Sequence, residues 1–320
     1  MVDTDFSTEE FSQDQWQLVL FSLLYDLPVK EWNEFVHDLI YKNRFSSSHK
    51  VVDIIKAYAG KCEKVIKKGR ILYRARIYHE DPLQEFLSGL FFDVKSNANK
   101  LGNIPDNYNI ALAALMMTAD KDTAKSKEII DAYKSWQDKK FKGYDLSNSG
   151  APPAFNATSG RLNPAKISYL YLAEDPETAI YEVRPTIGQY VSVATFETQE
   201  EIKIYDLAVE LENQEVENWN FDYALFCVIQ QRFSEPNAGD VFKYLPTQYL
   251  GEVIKQMGFD GLRFKSSLKN GGVNMVLFDE KKCMACQSDI IKVGDIELKI
   301  SNPEIYELER LLDINKHKGY

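Results

Sequence analysis

The chain has 320 residues, of which 44% are hydrophobic and 27% charged, enough apolar matter for a large core and too much for a disordered chain. Its formal net charge of −10 excludes a general binder of nucleic acid or anionic membrane, because both surfaces would repel it, while leaving room for a local basic cleft. The length predicts about two domains.

The chain opens on MVDTDFSTEEFSQDQ, acidic and without the basic-then-apolar order of a signal peptide. No apolar run approaches the ~20 residues that span a bilayer, so the expectation is a cytoplasmic protein. Across residues 1–68 apolar side chains recur at helical spacing, from Trp16 through Trp32, Phe35 and Leu39 to Val51, Ile54 and Ile55. Pro28 and the polar SSSH segment break the pattern. This predicts a small helical amino-terminal module ending at Gly69.

ILYRARIY, at 71–78, alternates apolar and polar residues and predicts the first strand. Arg74 and Arg76, two apart, share one face of it. Two such cations need anions, either carboxylates or a phosphate-bearing ligand. The following stretch has helical character at 109–119 and 123–136 and exceeds an ordinary connection, so residues of about 80–150 read as a helical insertion. GRLNP, at 160–164, offers a glycine, Arg161 and Asn163 in a loop that suits either a plain turn or a ligand.

The segment SYLYLAEDPETAIYEVRP, at 168–185, predicts a buried strand and then a helix. Asp175 and Pro176 supply the helix start, the first accepting from free first-turn N–H groups and the second lacking an N–H to leave unpaired. Ala179, Ile180 and Val183 mark the apolar face, and Glu182 lies roughly 105° from its middle. A carboxylate on that border serves either a surface ion pair or a cleft.

Strands follow at 189–197, 203–207, 261–267 and 273–278, with a helix-rich span at 215–258. FKSSLKNGGVN, at 264–274, sets Ser266 and Ser267 at a strand end before a Gly-Gly loop, a hairpin turn or a phosphate cradle. Cys283 and Cys286 have CxxC spacing, but no second pair or nearby histidine completes a zinc set, which favours ordinary strand or turn thiols and no metal. IIKVGDIELKIS predicts a terminal hairpin, and 303–316 an amphipathic tail helix. Short connections between most strands argue for α+β over a doubly wound sheet. Neither GxGxxG after a strand nor GxxxxGK[ST] is present.

Two resemblances carry chemistry. Arg44 and His49, in RFSSSH, have the Arg-x4-His spacing of the HEPN ribonucleases, with Phe45 where that motif usually has a polar residue. The larger one joins YRAR, GRLNP with ISYLYLAEDPETAIYEVRP, and GFDGLRFKSS with GGVNMVLF, in that order. Together these blocks resemble the RES domain family over roughly residues 69–280, with Ala75 where some members carry an aromatic. The resemblance implies an ADP-ribosyltransferase-like fold with a split mixed sheet and a helical insertion, the domain occupying 69–302 between the 1–68 module and a 303–320 tail.

It implies further an enzyme that binds NAD and cleaves its nicotinamide-ribose bond, passing ADP-ribose to inorganic phosphate, water or a protein. Arg74, Tyr171, Glu182 and Ser266 are its expected catalytic residues. Arg76, from its strand face, and Arg161 and Asn163, from the matching loop, join Arg74, Tyr171 and Ser266 as expected NAD-binding residues. NAD is the substrate, and no further cofactor is expected. Many relatives are toxins held by an antitoxin with an Xre-like region. For the amino-terminal module, inhibitor docking, dimerisation into a homo-oligomer, and control of pocket access all stay open, as does a non-catalytic nucleotide sensor for the whole chain.

Overall fold

The computed structural model of the chain describes residues 13–45, 48–79, 143–210, 221–236 and 241–296. The helices expected at 109–119 and 123–136, the tail helix, and the end of the expected terminal hairpin lie outside them.

Eight strands among the described residues form one mixed sheet: β1 (Glu63–Ile66), β2 (Ile71–Tyr78), β3 (Leu170–Ala173), β4 (Tyr190–Thr198), β5 (Ile202–Asp206), β6 (Gly261–Lys265), β7 (Val273–Leu277) and β8 (Cys283–Lys292). Their order is β1-β5-β6-β7-β3-β2-β4-β8, and every neighbouring pair is antiparallel except β5 with β6. This is the α+β, mixed-sheet class expected from the sequence. The helices are α1 (Gln13–Tyr41), α2 (Lys50–Ala57), α3 (Ala59–Cys62), α4 (Pro176–Glu182), α5 (Phe221–Phe233) and α6 (Leu245–Gln256).

Most strands match their sequence patterns within a residue or two, and β2 matches at both ends. Three features differ. Helix α1 continues through Pro28, where the pattern predicts a break. An interior proline costs about 3 kcal/mol, but the turns after it bury Trp32, Phe35 and Leu39, each worth about 1.5–3 kcal/mol, so burial wins. Strand β1 lies inside the segment read as all helical, because four residues of EKVI pair with β5. The third is β8, which starts at Cys283, well before the expected hairpin, and runs along β4 with one irregularity at Thr195/Phe196.

One core cluster joins Phe35 and Ile54 from α1 and α2 to Phe226, Leu250, Tyr205 and Val276 from α5, α6, β5 and β7. The amino-terminal helices therefore share a core with the sheet. The opposite sheet face buries Leu72, Leu172, Phe196 and Met275. Under α4 a third cluster gathers Ala75, Ala173, Ala179 and Val193.

The sheet has a seam. Strands β2 and β3 meet at the single pair Tyr73↔Ala173, whereas β2 and β4 pair over eight residues. Beyond Tyr73 the chain of β2, with Arg74, parts from β3, and the sheet opens.

Because the core is shared, Phe35→Ala is expected to destabilise the whole molecule by about 3–5 kcal/mol. Chemical denaturation followed by far- and near-ultraviolet circular dichroism should show one transition moved to lower denaturant. Two transitions, one of them unmoved, would mean that the helices fold as a separate unit.

Candidate active site

Helix α4 is short, and each end is fixed. The Asp175 carboxylate accepts from the Thr178 backbone N–H at 2.8 Å and from the Thr178 hydroxyl, the cap that the sequence predicts. Burial raises the Asp175 pKa, but the Thr178 bonds and the Lys269 ammonium outweigh that and hold it below the usual aspartate value. After the cap residue Val183, Arg184 takes a left-handed conformation at φ 48°, so the chain turns away and Glu182 is the last helical residue. Such a conformation is uncommon outside glycine.

Glu182 is exposed to solvent, yet its Oε1 accepts two hydrogen bonds, from Ser266 Oγ and from Asn274 Nδ2, both at 2.7 Å. Ser266 Oγ in turn accepts from the N–H groups of Leu268 and Lys269 at 3.1 and 3.2 Å. A hydroxyl has one proton and two lone pairs. With both lone pairs engaged by the loop, the proton is left to point at Glu182.

Glu182 borders a cavity of about 470 Å³ that takes its walls from both faces of the sheet at the seam. On the helical side stand Arg161, Asn163 and Tyr171. The Tyr171 hydroxyl donates to Asn163 Oδ1 at 2.7 Å and accepts from the Leu162 N–H at 3.0 Å; burial pushes its pKa up. Asn163 spends its amide protons on the carbonyls of Thr158, Pro164 and Ile167. It organises the loop around Tyr171. Arg161 caps the end of α5 through the carbonyls of Arg232 and Glu235 and lies over the rings of Tyr244 and Phe264, at 5.7 and 5.9 Å. Burial lowers its pKa, against the opposing pull of Tyr244 and then Glu182.

Arg74 lines the same cavity from across the seam. It shares a face with Leu72, whereas α4 packs on the Tyr73 and Ala75 face. Burial, and after it the nearby Arg76, push the Arg74 pKa down to about 10 against the opposing pull of Glu280. Its Nη1 is buried and has no hydrogen-bond partner among the described residues. A buried, charged donor left unsatisfied is costly, and an anionic ligand would relieve it.

Not every sequence candidate faces this cavity. Arg76 shares the strand face of Arg74 as expected, but it donates to the carbonyls of Asn148 and Gly150. Those bonds hold the 143–152 segment over the sheet. Ser266 reaches the site only through Glu182; Ser267 and Leu268 are the lining residues of that loop. Arg44 is exposed, while His49 packs its ring on Phe35 at 5.1 Å and faces Glu31 at 3.5 Å, within the helical layer. Cys283 is buried and Cys286 exposed on β8, and the described residues contain no group of three metal-ligating side chains. No helix among them is long and apolar enough to cross a membrane.

Two residues of the site escaped the sequence reading. Asn274 is a buried amide inside the apolar strand VNMVL, and that break in hydrophobicity was the available signal. Gln248, buried in α6, donates to Ser159 Oγ and to the carbonyls of Gly160 and Asn163, pinning the GRLN loop. Nothing local to Gln248 marks that role.

The family model of the RES domain matches residues 132–300, more than half of the chain. The chain belongs to the RES domain family. The matched span carries Arg161, Tyr171, Glu182, Ser266 and Asn274. Arg74 lies before it in sequence, but the RES sheet seats β2 between β3 and β4, beside the matched residues. A chain of the crystal structure of the M. tuberculosis MbcT–MbcA toxin–antitoxin complex is similar at 14% identity and a TM-score of 0.37, covering 83% of this chain and 100% of that one. Among curated proteins nothing matches the chain significantly.

The RES loop has no room at Gly160. A Cβ there would stand 2.6 Å from Asn163 Oδ1 and 2.8 Å from the Tyr171 hydroxyl. Gly160→Ala is therefore expected to lower stability by about 1–3 kcal/mol through overpacking, measured by denaturant titration. A variant as stable as the parent would show that the Tyr171–Asn163 bond does not fix this loop.

Proposed function

We propose that this RES domain protein is an NAD-consuming enzyme that breaks the nicotinamide-ribose bond and passes ADP-ribose to phosphate, water or a protein acceptor. The observation that carries the reading is the Glu182 carboxylate, held by Ser266 and Asn274 at the edge of a cavity lined by two half-buried arginines. A dinucleotide needs cations for its pyrophosphate and apolar walls for its rings, and this cavity offers both.

Cleavage of an N-glycosidic bond passes through an oxocarbenium-like state, with positive charge growing on the ribose as nicotinamide leaves neutral. A fixed carboxylate gains interaction as that charge develops, so it lowers the barrier instead of merely tightening substrate binding. Glu182 is given that role. Its two hydrogen bonds fix one oxygen, Oε1, and leave Oε2 for the ribose. They also spare the site much reorganisation during the reaction.

Arg74, with its buried Nη1 unsatisfied, is the pyrophosphate ligand; Arg161, held by α5 and flanked by two rings, is the second cation. Tyr171 presents its ring as a wall for nicotinamide or its ribose, since its hydroxyl is already engaged. Ser266 and Asn274 orient Glu182, and Asn163 orients Tyr171. Arg76, committed to carbonyls, is left out of NAD binding. The neutral leaving group needs no proton, so no histidine is required. We assign the protein to the toxin-like members of its family, restrained in the cell by an antitoxin of the Xre type.

Purified protein incubated with NAD should release nicotinamide, and mass analysis should show ADP-ribose 1″-phosphate, free ADP-ribose or a protein adduct, according to the acceptor. Glu182→Gln is expected to lower kcat by about 10²–10³-fold, the range for losing one electrostatic stabiliser. Arg74→Met should raise KM more than it lowers kcat. Absence of nicotinamide with and without phosphate, from folded protein, would remove the reading.

Asn274→Leu tests the carboxylate's support separately. It should lower kcat by about 10-fold while changing KM little, as for a group acting mainly in the transition state. Wild-type kcat in that variant would show that Ser266 alone orients Glu182.

A further inference from the structure

The loop that carries Ser266 touches α4 at both ends of the helix. At the far end from Glu182, Lys269 Nζ lies 2.9 Å from Asp175 Oδ1, the helix cap, and 2.7 Å from Glu177 Oε2 in the first turn. Its side chain is only 23% exposed. Between the two ends Gly272 sits so close that a Cβ would meet Thr178 Oγ1 at 2.5 Å. The loop closes on itself through the Ser266 N–H to the Gly272 carbonyl, at 2.8 Å, and the Gly272 N–H to the Lys269 carbonyl, at 3.1 Å. Gly271 makes the turn at φ 72°.

The bonds form one mechanical path. The Lys269 side chain ties the loop to the start of α4, and the Lys269 and Leu268 N–H groups occupy the Ser266 lone pairs. What remains is one Ser266 proton, aimed at Glu182 on the last turn of the same helix. If the loop lifts off Asp175 and Glu177, those two N–H groups leave Ser266, and its hydroxyl becomes free to rotate away from the carboxylate.

We infer that Lys269 is a positioning residue: its ion pairs with Asp175 and Glu177 clamp the loop on α4 and thereby direct the Ser266 hydroxyl onto Glu182. The inference rests on the reading of Glu182 as the reacting carboxylate. Lys269 itself touches no substrate. An isolated exposed ion pair would contribute little, but here one ammonium bridges two carboxylates at a closed loop, and its effect is read in geometry.

The test uses the full chain. Lys269→Gln is expected to lower kcat for nicotinamide release by about five- to ten-fold with KM for NAD changed less than about two-fold, and Lys269→Arg to recover most of it. In a Ser266→Ala background the same Lys269→Gln change should cost less than about two-fold, because residues acting through one another are not additive. Equal cost in both backgrounds, or no recovery by arginine, would overturn the proposal. Hydrogen exchange gives a readout that needs no turnover: the amides of Leu268 and Lys269 should exchange at least about five-fold faster in Lys269→Gln. Unchanged exchange overturns the clamp even in a protein inert towards NAD. Faster exchange in a protein whose wild type never releases nicotinamide supports the clamp and removes only the NAD reading.

Discussion

The architecture of the site turns on one residue pair. Tyr73 and Ala173 are the sole register partners between β2 and β3, and the sheet opens on the side of Arg74. Because the opening passes through the sheet, groups from its two faces line a single cavity. Helix α4 bridges the seam, packing Ala179 against Ala75 of β2 and Ala173 of β3. It keeps the halves together where strand pairing stops, and Glu182 sits at the end of that bridge.

The two sides of the seam divide the chemistry. The β3, β6 and β7 side carries Glu182 with its partners Ser266 and Asn274, and the GRLN loop with Arg161, Asn163 and Tyr171. Nearly every polar group there is already bonded, which makes it rigid. Arg74, on the β2 side, is half-buried, and its buried Nη1 is unsatisfied among the described residues. The contrast has a physical reading: groups that must keep one orientation are satisfied internally, and the group left short of a partner is the one suited to an anionic ligand. Arg76 lies two residues away on the same strand face and has the opposite fate, because the 143–152 segment supplies its acceptors.

Local pattern made much of the fold legible. The alternation in ILYRARIY fixed β2, and Asp175 with Pro176 fixed the start of α4, since caps and strand faces depend on neighbours within a few residues. Pro28 misled because the cost of a proline is local while the burial that offsets it comes from α5 and α6. EKVI was missed because four residues become a strand only when β5 is beside them. Of the site, the ordered blocks around Arg161, Tyr171, Glu182 and Ser266 were visible as residue types, and Asn274 was visible only as a polar interruption.

By itself the sequence determined the α+β class, the helix that ends on Glu182, and membership of a family whose blocks appear in order. Only the tertiary structure decided what those residues do to one another. Ser266 and Asn274 lie 84 and 92 residues from the carboxylate they hold, and Arg74 and Arg76 are equivalent in pattern but opposite in partners. The reason is that periodicity records which face a side chain occupies, whereas its hydrogen-bond partner is set by strand register and loop closure across distant segments.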